Sequence, residues 1–180
     1  MVPAYRITRL TSDASVIADL SELLIHIVAN GGSVSFMHPL TSEKATAFWK
    51  TSLAAADRGE RVVLGCYDGD VLAGTVTLLL DCPPNQPHRA EIAKMMTHVN
   101  YRGKGIASAL LQAAENIAVE QGRTLLNLDT AADEGAAGFY ERHGYTKAGI
   151  IPDYAFKPLG GLTDTILYYK KIGKNDSLNS

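Results

Sequence analysis

With two cysteines, one tryptophan, no run of like charge and no apolar stretch approaching a bilayer's thickness, this chain of 180 residues is informative first in what it does without. Cys66 and Cys82 stand in no Cys-x-x-Cys or Cys/His spacing, so a disulfide scaffold and a zinc site lack support, and both read as reduced packing thiols. His26, His38, His88 and His143 form no ligand spacing either, and no metal is expected. Lys and Arg number 17 against 19 Asp and Glu, a formal net charge of −2, and no basic tract is present to follow a phosphate backbone. Nucleic acid is not an expected partner. A helix needs ~18 or more consecutive apolar residues to span a bilayer, and the first residues carry no basic segment followed by an apolar core. The expectation is a soluble, cytoplasmic protein without a membrane partner. A hydrophobic content of 46% is enough for one core, placed in a single domain over 1–172, and the polar stretch 173–180 reads as a disordered tail.

The most informative stretch is Arg102-Gly103-Lys104-Gly105-Ile106-Ala107, where a strand pattern over 91–99 gives way to an amphipathic helix over 106–121. A helix start leaves its first N–H groups without carbonyl partners, its dipole favours anions, and glycines admit a ligand close to the backbone. Arg102 and Lys104 add positive charge. The turn is not a Walker loop, which needs Ser or Thr where Gly105 stands. Nor is it a dinucleotide fingerprint, whose third glycine is replaced by Ser108 and which belongs after an early strand. The cradle is left for another phosphate-bearing ligand.

Elsewhere, 5–10 alternates like a first strand. Ser12 or Asp13 can cap a helix whose inner face carries Val16, Ile17, Leu20, Leu23, Leu24 and Ile27, ended by Gly31-Gly32. After a loop at 33–40, Thr41 or Ser42 opens a second helix through Arg58. Strands at 61–67 and 71–80 flank Asp68-Gly69-Asp70, a hairpin signal, and three prolines mark 82–88 as an exposed connection. A buried strand at 124–129 follows the glycine-turn helix, which implies a parallel pair with 91–99. A short helix at 134–143 and strands at 145–151 and 164–171 complete the pattern, separated by a long loop at 152–161 of the kind that shapes ligand sites.

This order, with Arg102-x-x-Gly105-x-Ala107 and Ala136-x-x-Phe139-Tyr140-Glu-x-x-Gly144-Tyr145, resembles the GNAT N-acetyltransferase superfamily over nearly the whole chain. Within it the chain is similar to the tabtoxin-resistance acetyltransferase subgroup. That likeness rests on Gly31-Gly32-Ser33-Val34-Ser35-Phe36-Met37, Ala90-Glu91, Leu128-Asp129-Thr130, Phe139-Tyr140 and Pro152-x-Tyr154. The resemblance implies a mixed α/β fold: a mostly antiparallel sheet of about seven strands, a splayed central parallel pair and four flanking helices. It implies acetyl-CoA as co-substrate, direct acetyl transfer to an amine, and a homodimer.

The resemblance also assigns residues. The amides of Arg102, Gly103, Lys104, Gly105, Ile106, Ala107 and Ser108 would take the pyrophosphate. The backbone of Met95, Met96 and Thr97 would pair with the pantetheine arm and aim an N–H at the thioester oxygen, and Ala136 would complete the cofactor surface. At Asp133 the superfamily often has Asn in contact with the cofactor arm, and an anion there disfavours that contact. Tyr140 is the implied general acid. Glu91 and Asp129 are the candidates for general base, each equally readable as an ammonium partner, with His98 as a further alternative. In a regular strand Glu91 shares a side with Ala93, Met95 and Thr97. Ser33, Phe36, Tyr154 and Phe156 are expected to shape an acceptor pocket for a small amine, such as an amino-acid-like compound, toxin or antibiotic. Acetylation of a protein amino group and a non-catalytic CoA-binding regulatory module are the alternatives.

Overall fold

The computed structural model describes residues 4–133 and 135–173; the tail expected over 173–180 lies, from 174 onward, outside the described residues. Among the described residues there are seven strands and four α-helices: β1 (Arg6–Arg9), α1 (Ala14–Ala29), α2 (Ser42–Asp57), β2 (Arg61–Asp68), β3 (Val71–Leu79), β4 (Arg89–Thr97), α3 (Ile106–Glu120), β5 (Leu125–Ala131), α4 (Ala136–Arg142), β6 (Thr146–Phe156) and β7 (Leu162–Lys171). The strands make one sheet in the order β1-β2-β3-β4-β5-β7-β6. Every neighbouring pair is antiparallel except β4 and β5. This is the mixed, mostly antiparallel architecture the sequence implies.

Two apolar layers cover the sheet. On one face α1 and α2 bury Leu20, Leu24, Trp49 and Leu53 with Val63, Leu72 and Met96. On the other, α3 buries Ile106, Leu110, Leu111 and Ala114 with Leu64, Val76, Leu78, Ala90 and Ile92. The 3.6-residue periodicity of α1 and α3 generates these stripes. Thr41 Oγ1 caps α2 by accepting from the Lys44 amide at 3.3 Å, whereas Asp13 begins α1 without a side-chain cap. Gly74 lets the start of α3 dock on β3, because a Cβ there would lie 2.9 Å from both Ile106 Cγ2 and the Met96 carbonyl.

Four expectations are corrected. Val99 ends no strand: residues Val99–Tyr101 form a 3-10 turn, capped where His98 Nδ1 accepts from the Asn100 amide at 3.2 Å. The long loop expected over 152–161 is mostly strand, since β6 runs to Phe156 and the turn closes with the Lys157 amide donating to Gly161 at 2.8 Å. Pro152 is tolerated because β6 is an edge strand whose register shifts between Ile151 and Ala155. The short helix begins at Ala136 after a left-handed Gly135, not at Glu134, which lies outside the described residues.

The fourth concerns β4. Met96 pairs with Thr75 and Ala93 with Thr77, so Lys94 and Met95 together oppose the single residue Val76. This β-bulge flips the side-chain alternation. Ile92 therefore faces α3 while Met96, four residues on, faces α1 and α2. Glu91 and Met95 consequently do not share a side.

Candidate active site

A cleft of about 700 Å³ opens where β4 and β5 separate. The two strands pair only at Arg89–Leu125, Ala90–Leu126 and Glu91–Asn127, and beyond Glu91 no residue of β4 is paired with β5. Each arm is meanwhile held from outside, β4 by β3 and β5 by β7 as far as Ala131. The edge of β4 thus presents backbone N–H and C=O groups to the cleft instead of to a neighbouring strand.

Of the residues singled out in the sequence, Glu91, Asp129, Tyr140, Met95, Met96, Thr97, Arg102, Gly103, Ala107, Ala136 and Ser33 line this one cleft. Gly105 is the left-handed residue (φ 80°) from which α3 departs, with no side chain capping the helix and open space where a Cβ would be. Lys104 is exposed, its Nζ 4.9 Å from the Tyr101 ring centroid. Ile106 contributes its side chain to the core, and Ser108 lies in the first turn of α3.

Other sequence candidates are placed elsewhere. Phe36 packs edge-on against Phe48 with ring centroids 5.2 Å apart. Tyr154 and Phe156 lie on β6, 55% and 66% exposed, outside the cleft lining. Asp133 accepts from Thr163 Oγ1 at 2.8 Å and pairs with Lys157 at 3.1 Å. These two partners hold its carboxyl below the ordinary range and tie it to the β6–β7 hairpin. His98 stacks on His26, with centroids 3.8 Å apart and planes 6° from parallel. His26 Nε2 accepts from the Val99 amide at 3.4 Å, and burial, His98 and Arg102 all depress its pKa. His98 is itself absent from the cleft lining.

The electrostatics of the cleft are specific. Tyr140 is 6% exposed, and burial, with Asp129 nearby, pushes its phenol up to about 12. It therefore keeps its proton across the neutral range. Glu91 lies 3.6 Å from Arg89, whose guanidinium also donates to Asn127 at 2.6 Å. Asp129 accepts from Thr165 Oγ1 at 3.0 Å. Between the carboxylates and the loop after α1 projects Lys94, donating to Ser35 Oγ at 3.1 Å, a residue that sequence reasoning passed over. Its signal was present: a lysine interrupting the otherwise apolar run Ile92-Ala93-Lys94-Met95-Met96.

The family model described as Acetyltransferase (GNAT) family matches residues 31–145, a stretch that contains the glycine turn, both arms of the fork and Tyr140. The chain belongs to the GNAT acetyltransferase family. GNAT acetyltransferases are acetyl-CoA-dependent N-acyltransferases. Among curated proteins, N-alpha-acetyltransferase 30 of Schizosaccharomyces pombe is 35% identical over 81 residues, 44% of this chain. The chain spans about half the length of that relative, 54%. Ribosomal-protein-alanine N-acetyltransferase from Brucella melitensis has the same fold, with a TM-score of 0.79 at 19% identity over 93% of this chain and 99% of that one. A Salmonella typhimurium protein solved with its cofactor acetyl-CoA gives 0.78 at 16% identity, over 98% and 99%. In this GNAT chain, then, the fork between β4 and β5, the residues flanking the start of α3, Lys94, Ser35 and the two carboxylates are brought to one cleft.

Proposed function

We propose that the chain transfers an acetyl group from acetyl-CoA directly to the amine of a small molecule, and that within the family it stands with the tabtoxin-resistance acetyltransferases. The observation that carries this reading is the convergence of three unlike surfaces in one cleft. An uncapped, glycine-entered helix start suits a pyrophosphate. An unpaired strand edge at 92–97 suits the two amides of a pantetheine arm. A protonated, buried Tyr140 lines the same cleft as two carboxylates and lies within the electrostatic reach of one of them, Asp129. Acetyl-CoA, when bound, supplies an activated acyl carbon and a thiol leaving group.

Each step then falls to a residue of this chain. The backbone of Met95, Met96 and Thr97 orients the arm, and an N–H of this segment stabilises the charge developing on the thioester oxygen. Glu91 or Asp129 receives the acceptor's ammonium group and, directly or through water, its proton. Tyr140 delivers its proton to the departing sulfur, whose ordinary pKa of ~8.5 lies well below that of the buried phenol. Taken alone that transfer is uphill, and it is completed when the proton that Glu91 or Asp129 has taken from the amine returns, through water, to the Tyr140 phenolate. Val34, Phe139 and the β4 edge give the cleft apolar walls beside its carboxylates, which suits a compact amine.

Acetylation of a protein amino group is the second reading, favoured by the likeness to N-alpha-acetyltransferase 30. Thiol release from acetyl-CoA, measured across amino acids, dipeptides, amine antibiotics and polypeptide N-termini, separates the two. The expected outcome is fastest turnover with a small amine. Release with polypeptides alone overturns the small-molecule acceptor and leaves the acetyl transfer standing. Tight acetyl-CoA binding without acceptor-dependent release favours a regulatory module.

The pyrophosphate assignment has its own check. Gly105→Val puts a β-branched residue at φ 80°, a conformation it adopts only under strain, and the turn must shift to relieve it. Nothing within 4 Å obstructs the new side chain, so the domain should still fold. Acetyl-CoA affinity by calorimetry should fall about tenfold or more, the loss of one to two charge-assisted hydrogen bonds. An unchanged affinity in a folded variant removes the turn from the cofactor site.

A further inference from the structure

Among the described residues, three that are not glycine hold left-handed backbone: Ser35 (φ 75°), Lys94 (φ 50°) and Asp153 (φ 50°). Two of the three meet in the cleft, where Lys94 Nζ donates to Ser35 Oγ at 3.1 Å. Conformations that side-chain-bearing residues rarely adopt persist where the surroundings enforce them, and their clustering at a cleft points to a task. Here the strained pair does something definite. The β4 bulge turns Lys94 out of the regular alternation, and the loop after α1 brings Ser35 across to steady its ammonium group, which also lies 5.7 Å from the Phe48 ring centroid.

The ammonium so placed has no carboxylate within ion-pairing distance among the described residues. Glu91 is engaged by Arg89 at 3.6 Å and Asp129 by Thr165 at 3.0 Å. Both carboxylates act on Lys94 only at longer range, and burial outweighs them, holding its pKa below the ordinary lysine value. A cation drawn out of water into a cleft, without an anion of its own, is matched most economically by an anion on the ligand. Arg102 and the amides of the α3 turn, which follow the end of β4, are assigned above to the pyrophosphate and leave this role to Lys94.

Resting on the small-amine reading above, we propose that Lys94 binds a carboxylate of the acceptor, so that the preferred acceptor carries both an amine and a free carboxylate. The ammonium group is received by Glu91 or Asp129 and the carboxylate by Lys94, with Ser35 holding the lysine in position. The cleft then reads the distance between the two charges, and an amine lacking the acid loses one of its two anchors.

The experiment uses the full chain and matched acceptor pairs: each common amino acid against its own C-terminal amide, with thiol release as the readout. Wild-type kcat/KM should favour the free acids over their amides by about 10- to 100-fold, the range expected for a hydrogen bond between charged groups. Lys94→Met should collapse that ratio to near one, acting chiefly through KM of the acids, while Lys94→Arg restores most of it. Calorimetric acetyl-CoA affinity and circular dichroism of each variant confirm an intact cofactor site and fold. A wild-type preference for amides, or a Lys94→Met loss that falls equally on acids and amides, overturns the role of Lys94 and leaves the small-amine reading in place. Turnover with polypeptide N-termini and with no member of any pair overturns both.

Discussion

Tyr140→Phe is expected to lower kcat by ~10²–10⁴-fold, the usual weight of a general acid, while leaving acetyl-CoA affinity nearly unchanged. The substitution removes one oxygen from a ring that is 6% exposed and packed against Phe139, Tyr145 and Tyr168, with centroids 5.1, 5.6 and 5.9 Å away. Those contacts survive in phenylalanine, so unfolding should not confuse the result. The phenol, pushed up to about 12 by burial, stays protonated at every pH at which the protein is handled. A titration of Tyr140 should therefore be invisible in the wild-type pH profile, and only the amplitude should change in the variant. Single-turnover rates across pH 6–9 provide the check. A chemical step as fast in the variant as in the wild type returns Tyr140 to a packing role and leaves the thiolate to be protonated by water.

Lys170→Met should be strongly destabilising, costing about 3–5 kcal/mol of the ~5–15 kcal/mol that holds a domain together. Glu115 projects from α3 into the core with its side chain 10% exposed, and Lys170 of β7 meets both its oxygens at 2.9 and 3.1 Å. The same Nζ donates to the His143 carbonyl at 2.9 Å, closing the C-terminal end of α4. One ammonium group thus ties α3, α4 and β7 together. Its removal strands a buried carboxylate and an unpaired carbonyl. Urea denaturation should show the midpoint falling with the slope unchanged, and Glu115→Gln added to the first change should recover much of the loss because no buried charge is then left alone. A shift under about 1 kcal/mol in the single variant would mean that Glu115 finds water or a new partner at little cost.

The helices and the β2–β3 hairpin were legible because their signals are local. Asp68-Gly69-Asp70 specifies its turn, the apolar spacing of α1 specifies its buried stripe, and Thr41 specifies where α2 starts. What escaped depended on partners distant in sequence. Pro152 reads as a break, yet β6 passes through it because β7 on one side and no strand on the other allow the register to slip. The aromatic rings of Tyr154 and Phe156 were assigned to a loop over the pocket and instead stand on that edge strand, largely exposed. Lys94 is the sharper instance. Nothing in the local sequence announces that two residues of β4 will oppose one of β3, and without the bulge the phase of the strand past Ala93 is read the wrong way round. Tyr140 was singled out by the family spacing, and Glu91 and Asp129 by their places on the two strands; that the three line one cleft, and with which partners, required the fold.

The fork between β4 and β5 has one further consequence. Its width is decided not by the residues that face the ligand but by the outer ladders that hold the two arms apart, β3 against β4 and β7 against β5. What it offers along 92–97 is main chain, which every amino acid possesses. Selection can therefore replace Met95 or Met96 with little penalty to recognition, while a register slip in β3 or β7, remote from any bound molecule, would narrow or spread the opening directly. The opening that receives the arm is thus set by ladders lying mostly behind the surface it presents.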